Sequence, residues 1–247
     1  MSRRIALLGG TRGMGRAMAR ILAKRGDRVV LLGRDLDDLA RSSQDLAIRG
    51  GGEALAPARC DLADPTTFAP ALDAAIATLG GLDAVVVTAA AFGTQEALAS
   101  DPEAALRLCT INFANTVAFC ERARVRLLAH APGCLCVFSS VAGDRGRSPV
   151  VLYGATKAGL SAYLEGLDHK YRKEGLVTVC VKPGFVHTSM TEGLPAPPFA
   201  GTAEGVARRV VRAMDRGRPV VYAPGIWRWV MWIIRRLPRA VMRRVKF

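Results

Sequence analysis

The sequence predicts a doubly wound α/β fold: about seven mostly parallel strands in one sheet, helices on both faces, and an amphipathic helical tail at the C-terminus. Three observations predict it. Short apolar runs bounded by turn residues alternate along the chain with longer stretches of helical spacing. A glycine-rich loop separates the first apolar run from the first helical stretch. The 247 residues, half of them hydrophobic, supply a sizeable core and exclude a disordered, collagenous or coiled-coil chain.

The first strand, Arg4 to Leu8, runs into Gly9-Gly10-Thr11-Arg12-Gly13-Met14-Gly15, and helical spacing follows from Gly13 to Lys24. Glycines at 9, 13 and 15 permit a tight turn and close backbone approach, and the helix N-terminus favours a pyrophosphate. Gly9, Thr11, Arg12, Gly13, Met14 and Gly15 are therefore candidate cofactor contacts, the alternative being a tight turn without a ligand. The second strand, Arg28 to Leu32, ends at Gly33-Arg34-Asp35. A site selective for NAD usually places a carboxylate near this strand end. Here Arg34, with Arg12, can pair with a 2′-phosphate, so NADP(H) is expected over NAD(H). Asp35 next door tempers that expectation, and either arginine can simply be solvated.

Helical spacing resumes at Leu36 to Ile48, followed by a strand at Glu53 to Ala58, a helix at Pro65 to Thr78 and a strand at Asp83 to Thr88. A long helix is expected from Glu103 to Leu128, then a strand from Cys134 to Ser139 and a helix from Tyr153 to Arg172. Strands at Leu176 to Lys182 and Pro219 to Tyr222 flank a helix at Ala203 to Asp215. The proline-rich stretch Leu194 to Phe199 reads as a stiff loop over a site.

Tyr153 and Lys157 are four residues apart, so both face one side of their helix. A nearby ammonium favours the phenolate and brings a tyrosine within range of proton transfer near neutral pH. Ser140, at the carboxyl end of a strand, is placed to donate a hydrogen bond to the same substrate oxygen. Asn112 lies on the helix expected to neighbour this one.

Six scattered cysteines match neither a redox nor a zinc-ligand spacing and read as reduced core thiols; three dispersed histidines suggest no metal site. The N-terminal apolar run is too short for a signal peptide, and a cytoplasmic protein is expected. The charge is uneven. From Val206 to the end there are 12 Lys and Arg against one Asp, leaving 23 basic and 20 acidic residues in the first 205. All three tryptophans lie in the same tail. On a helical wheel Arg228 and Arg235 fall together, while Trp227, Val230, Met231, Ile233, Ile234 and Leu237 share the other side. The run from Trp229 to Ile234 is too short to span a bilayer, and an interfacial helix facing anionic lipid fits better. After Pro238, Val241, Met242 and Val245 alternate with arginines and Lys246 in a second amphipathic turn. The alternatives are that the tail packs on a partner subunit or on its own domain. Nucleic acid is not expected, because the apolar face would then have no role.

The glycine loop, Asp61-Leu62, Asn112, Ser140, the Tyr153/Lys157 pair and Pro183-Gly184, in this order, resemble the short-chain dehydrogenase/reductase family across roughly residues 3 to 225. The resemblance implies a Rossmann-type domain over residues 1–225, followed by a basic tail at 226–247. It also implies reversible hydride transfer between a nicotinamide and a carbonyl or alcohol. Tyr153 would protonate the carbonyl oxygen and Ser140 would orient it. Lys157 would lower the tyrosine pKa and bind the nicotinamide ribose, while Asn112 would hold a water in the proton relay. Asp61 would meet the adenine and Thr188 would anchor the carboxamide. With Leu62, Ala89, Pro183, Gly184 and Val186, and with Tyr153 and Lys157 themselves, these complete the expected cofactor contacts. One departure is evident: Thr88-Ala89-Ala90-Ala91 stands where the family usually has Asn-Asn-Ala-Gly, so no side-chain role is expected there.

The C-terminal region from Val220 through Arg239, and Ala89 to Gly93, resemble the decaprenylphosphoryl-2-keto-ribose reductase group. That likeness implies reduction of a keto-sugar on a polyprenyl phosphate at the cytoplasmic membrane face, with the tail on an anionic surface. A long-chain keto-lipid such as 3-ketosphinganine is the second substrate reading, and a non-catalytic membrane adaptor the third. A homodimer or homotetramer is implied by the family.

Overall fold

The computed structural model describes residues 2–188, 191, 193 and 198–244. Its elements in chain order are β1 (Arg4–Leu8), α1 (Gly13–Lys24), β2 (Arg28–Gly33), α2 (Leu36–Gly50), β3 (Ala58–Arg59), α3 (Phe68–Leu79) and β4 (Ala84–Val87). These are followed by α4 (Gln95–Ser100), α5 (Pro102–Cys109), α6 (Thr116–Ala129), β5 (Gly133–Phe138), α7 (Val151–Tyr171) and β6 (Leu176–Pro183). The chain continues through β7 (Val186–His187), β8 (Gly201–Thr202), α8 (Ala203–Asp215), β9 (Val220–Ala223), α9 (Trp227–Ile234) and α10 (Arg239–Met242). The main sheet has seven strands in the order β3-β2-β1-β4-β5-β6-β9. Every pairing is parallel, so the predicted doubly wound fold is observed.

Period-two alternation divides the core. Ile5 and Leu7 of β1 point to the face covered by α1 and α8, with Val86 of β4 and Met18 beside them. Ala6 and Leu8 point to the opposite face, against Leu72 of α3, Phe119 of α6 and Leu164 of α7. The strands are therefore buried on both sides and read as continuous apolar runs. The order reverses at β1, with β2 on one side and β4 on the other. Their carboxyl ends diverge there, which opens the crevice where a doubly wound sheet binds ligands.

Three expectations change. The strand expected from Glu53 shrinks to Ala58–Arg59, which pairs only with Leu32 and Gly33 at the sheet edge. The single helix expected from Glu103 is α5 and α6 joined by a π-helical turn at Thr110–Asn115. The tail helix α9 buries Trp227, Met231 and Ile234 against Val141, so its inner face packs on its own domain. Ile233, placed with that face on the wheel, is instead exposed beside Trp229 and Trp232. Most of the proline-rich stretch at 194–199, together with Val245 and Lys246, lies outside the described residues. No described helix is long and apolar enough to cross a membrane.

Candidate functional site

The glycine loop leaves β1 and enters α1 directly. Gly9 takes a left-handed φ of 95°, and a Cβ there would lie 2.6 Å from the Ala89 nitrogen. At Gly15 a Cβ would collide with the Gly9 carbonyl, so the turn can be this tight only without side chains. Arg12, the N-cap of α1, makes no side-chain cap, and the first turn holds no acidic residue. The first amide groups of a 12-residue helix thus face the crevice without a side-chain acceptor, the arrangement that receives a phosphate. This cradle fits the pyrophosphate of a dinucleotide.

Thr88 corrects the expectation that the altered loop after β4 carries no side-chain role. Its hydroxyl lies 3.1 Å from the Leu8 carbonyl and 3.0 Å from the Gly9 carbonyl, so it ties β4 to the glycine loop. The backbone amide of Ala89 also donates to Leu8. Further along the crevice, Asp61 accepts from the Ala63 amide and the Leu62 carbonyl accepts from Asn115 Nδ2 at 2.7 Å. Arg34 is exposed at the end of β2. Asp35 is occupied as the N-cap of α2, accepting from the Asp38 amide at 3.0 Å, while Arg12 pairs with Asp38 at 3.0 Å.

Ser140, Tyr153 and Lys157 meet in one cavity of about 410 Å³. Met14, Pro183, Gly184, Val186 and Thr188 line the same space, while Gly9, Thr11, Arg12, Gly13, Gly15, Arg34, Asp61, Leu62 and Ala89 are not part of its lining. Most of the remaining wall is apolar, with Phe92, Val150 and Phe185 on the loops and Trp227 from α9. The Phe92 ring meets Tyr153 edge-on, 5.4 Å between centroids. Arg147 is a cationic member of the wall that the sequence did not single out. Ser139, also missed, bonds to the Lys157 carbonyl at 2.9 Å and to Ser161 at 2.7 Å, fixing α7 against the end of β5.

Lys157 is 2% exposed and its ammonium donates to the Phe138 carbonyl at 2.9 Å. It lies 5.7 Å from the Tyr153 ring centre. Burial drives its pKa down to about 8. The expected lowering of Tyr153 by this lysine is not what the geometry gives: burial pushes the phenol up to about 12, opposed by a hydrogen bond with Ser140. At neutral pH the tyrosine therefore carries its proton and the lysine is mostly charged.

Asn112 sits behind the cavity in the π-helical turn and is fully buried. Its amide pairs twice with one residue, accepting from the Ala91 nitrogen at 2.7 Å and donating to the Ala91 carbonyl at 2.8 Å. The extra residue of a π turn widens the helix where its side chain must reach the loop after β4. With both amide atoms engaged by Ala91, the side chain holds that loop in place.

A family model of short chain dehydrogenases matches residues 3–197. An uncharacterized oxidoreductase of Mycobacterium tuberculosis is 32% identical over 98% of this chain and 96% of its own. A carbonyl reductase family member 4 of Danio rerio is 31% identical over 90% and 89%. A 3-oxoacyl-[acyl-carrier-protein] reductase of Bos taurus is 29% identical over 78% and 80%. The solved structure of a short-chain type dehydrogenase/reductase from Mycobacterium ulcerans superposes with a TM-score of 0.81 at 23% identity, covering 90% of this chain and 89% of that one. The glycine cradle, the convergence on one cavity and the match over most of the chain have one meaning: this chain belongs to the short-chain dehydrogenase/reductase family, oxidoreductases that work with a nicotinamide cofactor.

Proposed function

We infer that the protein reduces a ketone to an alcohol with NADPH, on a lipid-linked substrate of the polyprenyl-phosphate keto-sugar type. The observation that carries the reaction is the meeting of Ser140, Tyr153 and Lys157 in one largely apolar cavity. The nicotinamide, when bound, supplies a hydride to the carbonyl carbon. Tyr153 gives its phenolic proton to the carbonyl oxygen, and Ser140 donates a hydrogen bond that orients the same oxygen. Lys157 holds positive charge beneath the phenol while its proton leaves, and is placed to reach the cofactor ribose. Met14, Pro183, Gly184, Val186 and Thr188, which line the cavity with Tyr153, would hold the nicotinamide end, and Asp61, Leu62 and Ala89 would hold the adenine half.

The lipid part of the reading rests on α9. Trp227 walls the cavity, and on the outer face of the same helix Trp229, Trp232 and Ile233 are 61, 52 and 55% exposed. Exposed tryptophans beside Arg228, Arg235 and Arg236 suit an anionic interface, with indole rings at headgroup depth. In this reading residues 1–225 form the catalytic domain, and the basic tail at 226–247, whose Trp227 walls the cavity, meets the cytoplasmic membrane surface. A long-chain keto-lipid is the second reading, favoured by the apolar wall and by similarity to a relative named for 3-oxoacyl reduction. An adaptor would have no use for the three polar groups converging there.

The test is NADPH oxidation with a lipid extract and, in parallel, with water-soluble metabolites. Turnover with the lipid extract alone is expected, and turnover with soluble metabolites alone overturns the lipid reading. Activity on long-chain acyl ketones but not on keto-sugar lipids selects the second substrate.

NADPH preference is supported by exposed Arg34 and by Asp35, which is turned into its own helix as a cap. Replacing Arg12 and Arg34 together by Ala is expected to raise the KM for NADPH by about tenfold or more and leave that for NADH nearly unchanged. Equal catalytic efficiency of the parent protein with both cofactors would remove the preference.

A further inference from the structure

A second cavity, larger than the one that holds Tyr153, lies elsewhere among the described residues. A groove of about 810 Å³ runs along β9 between α8 and α9. β9 is the last strand of the sheet, so its outer edge has no strand partner among the described residues. Arg209 and Arg212 reach the groove from α8, Arg216 from the cap that ends it, and Arg218 from the turn before β9. Arg228 reaches it from α9, and Arg235 and Arg236 from the turn that ends that helix. All of these arginines are exposed, and none forms an ion pair with a carboxylate among the described residues. Two of them are nonetheless held in place. Arg209 donates to the Tyr222 carbonyl at 2.7 Å, and Arg236 lies 4.0 Å over the Trp232 ring while donating to the Trp232 carbonyl.

An exposed sheet edge is commonly guarded by charge, and here seven arginines gather at one edge. Convergence of so many guanidinium groups from three elements costs mutual repulsion that no ion-paired carboxylate offsets among the described residues, and a polyanion seated among them would relieve it. The planar donor forks match phosphate oxygens in bidentate geometry. The groove is also walled by the helix that walls the active site: Trp227 faces the catalytic cavity, and Arg228, Trp232 and Arg235 face the groove.

We propose that this arginine groove is a second ligand site, separate from the cofactor crevice, that binds a phosphate-bearing group of the phosphomonoester or diphosphate class. The site stands on the groove alone and does not depend on the reductase reading. A lipid headgroup and a soluble phosphate ester carry the same chemistry, so the source is decided by experiment.

The probes are inorganic pyrophosphate, and phosphatidylcholine vesicles with and without phosphatidic acid. They are titrated into the full chain and into the variant Arg212→Gln/Arg216→Gln/Arg235→Gln. None of these three side chains makes a hydrogen bond within the fold among the described residues, so the variant is expected to fold and to bind NADPH as the parent does. Saturable binding is expected, weakened by about a hundredfold in the variant and steeply reduced by salt. Binding of pyrophosphate assigns a soluble ligand; binding of phosphatidic acid vesicles without pyrophosphate assigns a headgroup. Absence of saturable binding to either probe, or equal binding by parent and variant, overturns the site. So does equally tight binding of a DNA duplex, which would mark a non-specific basic surface. Loss of NADPH binding in the parent would instead count against the reductase reading and leave the groove untouched.

Discussion

Replacing Tyr153 by Phe is expected to lower the turnover of ketone reduction by about 10²–10⁴-fold and to leave NADPH binding nearly unchanged. The ring fills the same space against Phe92, so the wall of the cavity survives, and only the proton donor and its hydrogen bond with Ser140 are lost. The pH dependence follows from the same burial. A phenol held at about 12 stays protonated through the neutral range, so reduction, which needs the acid form, does not fall as pH rises from 6 towards 8 on account of this group. Alcohol oxidation needs the phenolate and is expected to accelerate with pH over that interval. Both are read from NADPH consumption and formation across a pH series. Turnover of the Phe variant close to that of the parent would show that another group supplies the proton.

Much of this arrangement was legible in the sequence, because alternation and spacing are local. Ile5 and Leu7 against Ala6 and Leu8 announce a strand buried on both sides, and the Tyr153/Lys157 interval announces a shared helix face. What stayed hidden depends on depth and on neighbours distant in the chain. The interval said nothing of how completely Lys157 is buried or how the cavity wall encloses Tyr153, and that desolvation raises the tyrosine pKa rather than lowering it. The loop after β4 read as a loss of asparagine, because nothing local shows that Thr88 lies within reach of the Leu8 and Gly9 carbonyls, some 80 positions away. The helical wheel of α9 allowed one apolar face, whereas Trp227, Met231 and Ile234 pack inward and a second set, Trp229 and Ile233, faces outward. The arginine groove was invisible as a site because its lining comes from three elements that only the sheet edge brings together.

The Lys157→Met variant separates the work of the ammonium from its cost to the fold. The lysine is 2% exposed, and burial takes its pKa from 10.5 to about 8. A shift of that size corresponds to about 3 kcal/mol of penalty for keeping the group charged inside the protein. Below pH 8 both the folded and unfolded chains hold this proton, so the whole penalty is present. Between about 8 and 10.5 the unfolded chain binds more protons than the folded one, so this group makes stability rise with pH; above 10.5 its penalty is gone. Methionine has a similar length and no charge, so it removes the penalty but leaves the Phe138 carbonyl without its donor, a loss of about 1–3 kcal/mol. The variant is therefore expected to be as stable as the parent at pH 7, or more stable by up to about 2 kcal/mol, with any advantage fading by pH 10. Turnover is expected to fall by about 10²–10³-fold, since the preorganised positive charge beneath the phenol has gone. Denaturant unfolding at the two pH values, beside steady-state kinetics at pH 7, measures both effects. A variant that loses stability equally at both pH values while keeping its turnover would make Lys157 a packing residue. A stable, slow variant would mean that the fold carries a buried charge at its own expense because proton transfer from Tyr153 requires it.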